Sequence, residues 1–274
     1  MCVSCPFFVQ SVRVFWSTNK IPDAVSYIHQ DWHKITVVTI LNIYSKVFST
    51  YMSPSRSKQT FFYRNGLSIV FTSLFVLTLI AQAVTGWHEN NAERKQDQVE
   101  PISFTTYLQS GHFISATFEN FESEFLQMAL YVILTIKLRQ IGSAESKSLD
   151  EPEDVDKEPE PHKDAPWAVK KGGWILKLYE SSLSLTFILL FLVSWYFHLY
   201  GSWLDHNDQN AINNQPPDSM TDYLMQANFW FESFQNWQSE FLSIASIVVF
   251  TIFLRQKGSP ESKPVDAPDM QTGK

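Results

Sequence analysis

Two glutamates open the same apolar phrase: S-E-F-L starts at Ser123 and again at Ser239, which places Glu124 and Glu240 in equivalent positions. A carboxylate beside lipid is costly unless it holds a proton or a cation, so ionisable residues in such runs are candidates for function. Two carboxylates brought close favour both a shared proton and a divalent ion. Gln82 and His198 are polar positions in otherwise apolar runs, and either could bond across a helix bundle to Glu124 or Glu240. These four residues form the candidate ion or proton site. Each also has a plainer role. Acids suit the first turns of a helix, near its positive end, with Asn120 and Asn236 as the N-caps. His198, within W-Y-F-H-L-Y-G, suits a membrane interface where its ring points at headgroups.

Other chemistry is sparse. The chain has no G-x-S-x-G, no H-E-x-x-H, no phosphate-binding glycine loop and no dinucleotide fingerprint. Glu119 and Glu122 near His112 make only a weak metal set, because the matching later positions are Asn228, Gln235 and Gln238. Cys2 and Cys5 are the only cysteines, and a zinc site needs about four ligands. The expectation is therefore a non-enzyme, with no cofactor, no metal centre and no catalytic residue.

The elements that must position these residues come from a duplication. S-E-F-L-Q-M-A-L-Y-V-I-L-T-I-K-L-R-Q-I-G-S-A-E-S-K (123–147) returns as S-E-F-L-S-I-A-S-I-V-V-F-T-I-F-L-R-Q-K-G-S-P-E-S-K (239–263), an offset of 116 residues. The register holds without a gap from 63–147 to 179–263, with roughly a third of positions identical. Each half holds an apolar run, a polar stretch, a second apolar run and then L-R-Q-x-G-S-x-E-S-K.

The runs Leu67–Trp87 and Leu183–Trp203 carry no charge, and about 20 helical residues span a hydrocarbon core. Phe125–Leu138 and Phe241–Leu254 are shorter and reach spanning length when counted from Phe121 and Trp237. A soluble core helix is the alternative for the short pair. The expected fold class is an all-α integral membrane protein of four transmembrane helices, as two tandem two-span repeats. Their pseudo-two-fold axis runs along the membrane normal. Trp87, Trp203 and Trp237 fall at interfacial belts, and Arg139 and Arg255 anchor the exits of spans two and four. Gly142 and Gly258 fit helix-stop positions. In S-x-E-S-K, Glu145 is placed to pair locally with Lys147, and a docking motif for a partner is the equal alternative.

Lysines and arginines cluster before span one, between spans two and three and after span four, which puts both termini on the cytoplasmic side. The P-x-S-x-T-x-Y-L phrase at Pro101 and Pro217 predicts a short amphipathic helix on the outer surface of each half.

The boundaries follow: 1–60, an N-terminal extension; 61–147, the first repeat; 148–172, an acidic Pro-rich cytoplasmic linker; 173–263, the second repeat; 264–274, a disordered tail. Segment 148–166 carries eight acids against two lysines, so it reads as solvated and extended. Translation from Met52 rather than Met1 is an equal alternative for the start. With Asp+Glu at 28 against Lys+Arg at 21, nucleic acid is excluded as a partner. The expected partners are the lipid bilayer, a protein docking on the linker or the outer helices, and a second copy of the chain.

The R-N-G-L-S-I-V opening (64–70), the G-H-F-x5-F-E-N-F-E-S-E-F-L-Q-M stretch (111–128) and the L-R-Q-x-G-S-x-E-S-K ending resemble an uncharacterised bacterial membrane-protein family. That family is catalogued only as a domain of unknown function. The resemblance covers about 63–263 and implies a bacterial cytoplasmic membrane and a family start near Arg64. It transfers no activity and no site residues. From the residues, the expected role is structural or partner-binding, with a small proton, cation or solute channel or transporter at Glu124 and Glu240 as the alternative.

Overall fold

The computed structural model describes residues 60–273. The expectations for the N-terminal extension and for the start residue lie outside them. The described chain is all helical, with no strand. The long helices are α1 (Phe61–Gln96), α3 (Gly111–Lys137), α6 (Ser182–Ile212) and α8 (Ala227–Phe253). Short helices α2 (Phe104–Tyr107) and α7 (Met220–Leu224) precede α3 and α8, and α4 (Trp167–Lys171) and α5 (Gly173–Glu180) lead into α6. The chain divides into two compact units, one ending at Val76 and one from Leu77 onward.

By length and hydropathy, two helices are able to cross a membrane, α1 and α6. Their most apolar windows are only 6% and 17% buried by protein. A soluble core helix would be covered, whereas here Phe71, Leu77, Leu189 and Leu192 lie exposed. Helices α3 and α8 fall short of that test because glutamates, glutamines and asparagines occupy their first halves.

Helix α3 starts earlier than expected. Ser110, not Asn120, is its N-cap, accepting from the Phe113 backbone N–H, and the Asn120 side chain bonds back to the Ala116 carbonyl at 2.8 Å. Glu124 therefore sits mid-helix, where the positive helix end no longer accounts for it. The expected outer helices are single turns, with the following aromatics absorbed into α3 and α8.

The same local bonds recur 116 residues on. Trp87 Nε1 donates to the Ile102 carbonyl and Trp203 Nε1 to the Asp218 carbonyl, both at 2.8 Å. Asn91 and Asn207 clasp the same two peptide units. These indoles tie a loop to its helix. Arg139 and Arg255 fold onto the last carbonyls of their own helices, which satisfies orphan acceptors at a helix end. Helices α3 and α8 consequently end at Lys137 and Phe253. Gly142 and Gly258 take positive φ in the turn beyond them, at +81° and +87°.

Residues 264–273, expected as a disordered tail, fold back instead. Buried Lys263 donates to the carbonyls of Gly142, Asp269 and Gln271 at 2.5–2.9 Å, and Gly273 N bonds Ser143 O at 3.0 Å. A buried ammonium persists only where carbonyls replace its water. The acidic linker is likewise pinned near its start: Lys147 pairs with Asp156 rather than Glu145, and Glu145 accepts from the Tyr131 hydroxyl at 2.5 Å.

Helices α3 and α6 run antiparallel in close contact. A Cβ on Gly111 would meet Asp205 N at 2.3 Å and Gly201 O at 2.6 Å, and one on Gly201 would meet Ser115 N at 2.4 Å. Glycine at both positions lets two backbones touch. One turn along, the Ser115 and Ser202 hydroxyls share a 2.5 Å hydrogen bond.

Candidate functional site

Three helices meet around His198. Glu119 and Glu122 are three residues apart on α3 and so share a face. Asn228, Glu232 and Asn236 form a stripe at four-residue spacing on α8, and His198 and Ser202 form another on α6. Phe118 stacks on Phe197 with ring centroids 4.8 Å apart, and Phe229 packs beside the imidazole at 4.9 Å. Phe229 thus lays apolar surface against the imidazole.

His198 and Glu122 are both 0% exposed. His198 Nδ1 lies 2.6 Å from Glu122 Oε2. The other Glu122 oxygen accepts from Trp237 Nε1 at 2.8 Å. Both Glu122 oxygens are thus engaged by N–H groups, which fixes the imidazole with a proton on Nδ1. Nε2 is the ring's other nitrogen, a donor when the ring is charged and an acceptor when it is neutral. It is buried and has no hydrogen-bond partner. It lies 3.8 Å from Glu119 Oε2 and 3.7 Å from Glu232 Oε2, both of them hydrogen-bond acceptors.

Each outer glutamate is steered by an asparagine. Asn236 donates to Glu119 Oε1 at 3.2 Å, and Asn228 donates to Glu232 Oε1 at 3.0 Å. The Oε2 atoms are thereby turned toward His198. Glu119 and Glu232 are 26% and 33% exposed at the side chain, so the group is reachable from one side. The two carboxylate oxygens and Nε2 converge here, and facing carboxylates favour a positive charge between them. The arrangement can hold a cation: a proton on Nε2 or a metal ion.

The four residues singled out from sequence do not form one bonded group among the described residues. His198 bonds Glu122, not Glu124 or Glu240, and it is enclosed rather than facing headgroups. Gln82 Nε2 reaches Thr117 Oγ1 at 3.5 Å. Glu124 is exposed and Glu240 half-buried, and they stand close enough for their charges to interact. Beside them Gln127 crosses to α8, donating to Glu240 O at 3.0 Å and Ser243 Oγ at 2.7 Å. Trp237, expected at an interfacial belt, instead serves Glu122. His112 is engaged with Tyr107 at 3.1 Å. Burial, then Glu89 and Asp205, push the Tyr107 phenol up to about 12, so it stays protonated.

Sequence reasoning passed over Glu119, Glu122 and Glu232. The signal was present in the two halves: at an offset of 116, Glu119, Glu122, His198 and Glu232 stand opposite Gln235, Gln238, Gln82 and Ala116. Every ionisable member of the group has a neutral counterpart.

No curated protein and no solved structure matches this chain. A family model described as "Domain of unknown function (DUF6766)" matches residues 58–274. With its site and all of its described helices inside that match, the chain belongs to this domain family of unknown function.

Proposed function

We propose that this protein is a four-span membrane protein of two tandem halves that binds a cation in the buried carboxylate–histidine group between α3, α6 and α8. The observation that carries this reading is the buried, unpartnered Nε2 of His198 facing two carboxylate oxygens. Recurrence of the Trp, Asn and Arg bonds at a 116-residue offset supports the duplication. The bare apolar faces of α1 and α6 support lipid contact. Helices α3 and α8 span as well, their polar halves turned toward the group and their apolar ends running on to Lys137 and Phe253. On this topology the connections after α1 and α6 share one face of the membrane, and the linker and tail share the other. Membrane-impermeant labelling checks this: Asn214→Cys and Ser148→Cys react from opposite sides, and same-side labelling contradicts it.

Binding fits better than conduction. Beyond the site, Gln127 staples α3 to α8. The role is non-enzymatic, and the cation tightens a three-helix junction. Thermal melting in detergent tests this. The wild type gains several degrees when protons or divalent ions are supplied. Glu119→Gln/Glu232→Gln melts higher than the cation-free wild type, because carboxylate repulsion is gone, and it no longer responds. A double variant that responds as the wild type does would remove the site from the account.

A further inference from the structure

Resting on that reading, we propose that the cation is a divalent first-row transition metal, bound once per chain by Glu119, His198 and Glu232. Glu122 acts behind His198 as the residue that orients it.

The geometry points there in three ways. First, the 3.8 and 3.7 Å separations, with all three ligand atoms within 4.8 Å of one another, leave a point within about 2.4 Å of each, a slight contraction away from such ions' bonds of about 2.0–2.2 Å to nitrogen and oxygen. An imidazolium proton on Nε2 would instead face oxygens beyond hydrogen-bond reach. Second, the donor set contains an imidazole nitrogen and only two carboxylate oxygens. Calcium and magnesium seek more oxygens, whereas zinc, manganese, iron, cobalt and nickel accept this mixture. Third, the surroundings are those of a metal ligand set: the far ring nitrogen of His198 is held by a carboxylate, and each ligating carboxylate is held by an amide. Three protein ligands leave coordination positions open on the side where Glu119 and Glu232 are exposed, which gives an entry path and room for water or a further ligand.

Stoichiometry follows from the halves. The counterpart positions Gln235, Gln82 and Ala116 offer neither charge nor imidazole, so the duplication carries a metal site in one place only.

The test uses full-length protein in detergent, stripped of metal with a chelator and titrated with Co(II), Zn(II), Mn(II), Mg(II) and Ca(II). Binding of one equivalent of a transition ion per chain is expected, with Mg(II) and Ca(II) at least 100-fold weaker. Glu232→Gln, at a partly exposed position that tolerates the change, weakens binding about 100-fold. Glu122→Gln weakens it by about 10–100-fold, the usual effect of a residue behind a ligand. The Gln235→Glu variant leaves the one-to-one ratio unchanged. Helical, monodisperse wild type that takes up no transition metal overturns the inference, as does binding that Glu232→Gln leaves intact. If metal uptake is absent but the melting response to pH persists in the wild type and is lost in Glu119→Gln/Glu232→Gln, this inference fails while the cation reading stands, with a proton as the cation. If both are absent, the cation reading itself falls.

Discussion

Glu122→Ala is expected to cost about 3–5 kcal/mol of stability, the scale of stripping one partner from a buried charged contact. Two N–H donors, His198 Nδ1 and Trp237 Nε1, lose their acceptor in a place water does not reach. With nothing to fix its proton on Nδ1, the imidazole is free to place that proton on Nε2, and its lone pair then turns away from Glu119 and Glu232. Cation binding is lost along with stability. Glu122→Gln separates the two effects, because the amide oxygen accepts from one donor and its NH2 group cannot serve the other. It is expected to fold and to bind less tightly. Glu124→Ala is the comparison, since Glu124 is exposed on the same helix and changes of that kind fall within about 0.5 kcal/mol. Unfolding in mixed micelles measures all three. Equal losses for Glu122→Ala and Glu124→Ala would remove Glu122 from its orienting role.

The second large effect belongs to Gly201→Leu. A side chain there begins with a Cβ 2.4 Å from Ser115 N and 2.9 Å from the Ile114 carbonyl carbon. Those atoms are backbone and cannot swing aside, so α3 and α6 must separate. Overpacking of this kind costs about 3 kcal/mol, the upper part of the usual range. Separation also breaks the Ser115–Ser202 bond and carries His198 away from Glu119 and Glu122, so the cation response disappears with the stability. Gly66→Ala is the control: nothing lies within 4 Å of the added carbon, and alanine in a helix gains up to about 1 kcal/mol over glycine. A Gly201→Leu protein that melts like the wild type would show that backbone contact does not set the distance between these helices.

Much of the fold was legible in the residues. The 116-residue offset predicts which segments form matching helices, and α3 and α8 match it end for end. The uncharged runs are α1 and α6. Helix starts were misread because F-E-N-F-E looks like a polar lead into a span. Its aromatics carry the helix straight through, from a cap at Ser110 rather than Asn120. The tail was misread because P-V-D-A-P-D-M has no period. It is ordered by the buried Lys263 ammonium together with contacts from Arg255, Gly142 and Ser143, tertiary contacts that periodicity does not register.

The site was half legible. His198 stood out as a polar residue in an apolar run, and so did Glu124 and Glu240, which recur at the 116-residue offset. Glu119 and Glu122 were set aside because the other half has Gln235 and Gln238. That reasoning treats symmetry as the mark of function. A duplicated scaffold is free to keep a site in one place and neutralise it in the other, and then the difference between the halves is the informative quantity. Glu232, opposite Ala116, carries the same signal. The pairing of Glu122 with a histidine 76 residues on is a packing fact that no spacing rule contains.

The most direct test of the site is electron–nuclear double resonance on the protein loaded with one equivalent of Mn(II) in detergent. Binding through His198 Nε2 predicts a directly coordinated nitrogen-14 coupling from one imidazole, absent in His198→Gln. A bound ion with an all-oxygen environment in the wild type, or a nitrogen coupling that survives His198→Gln, would contradict it.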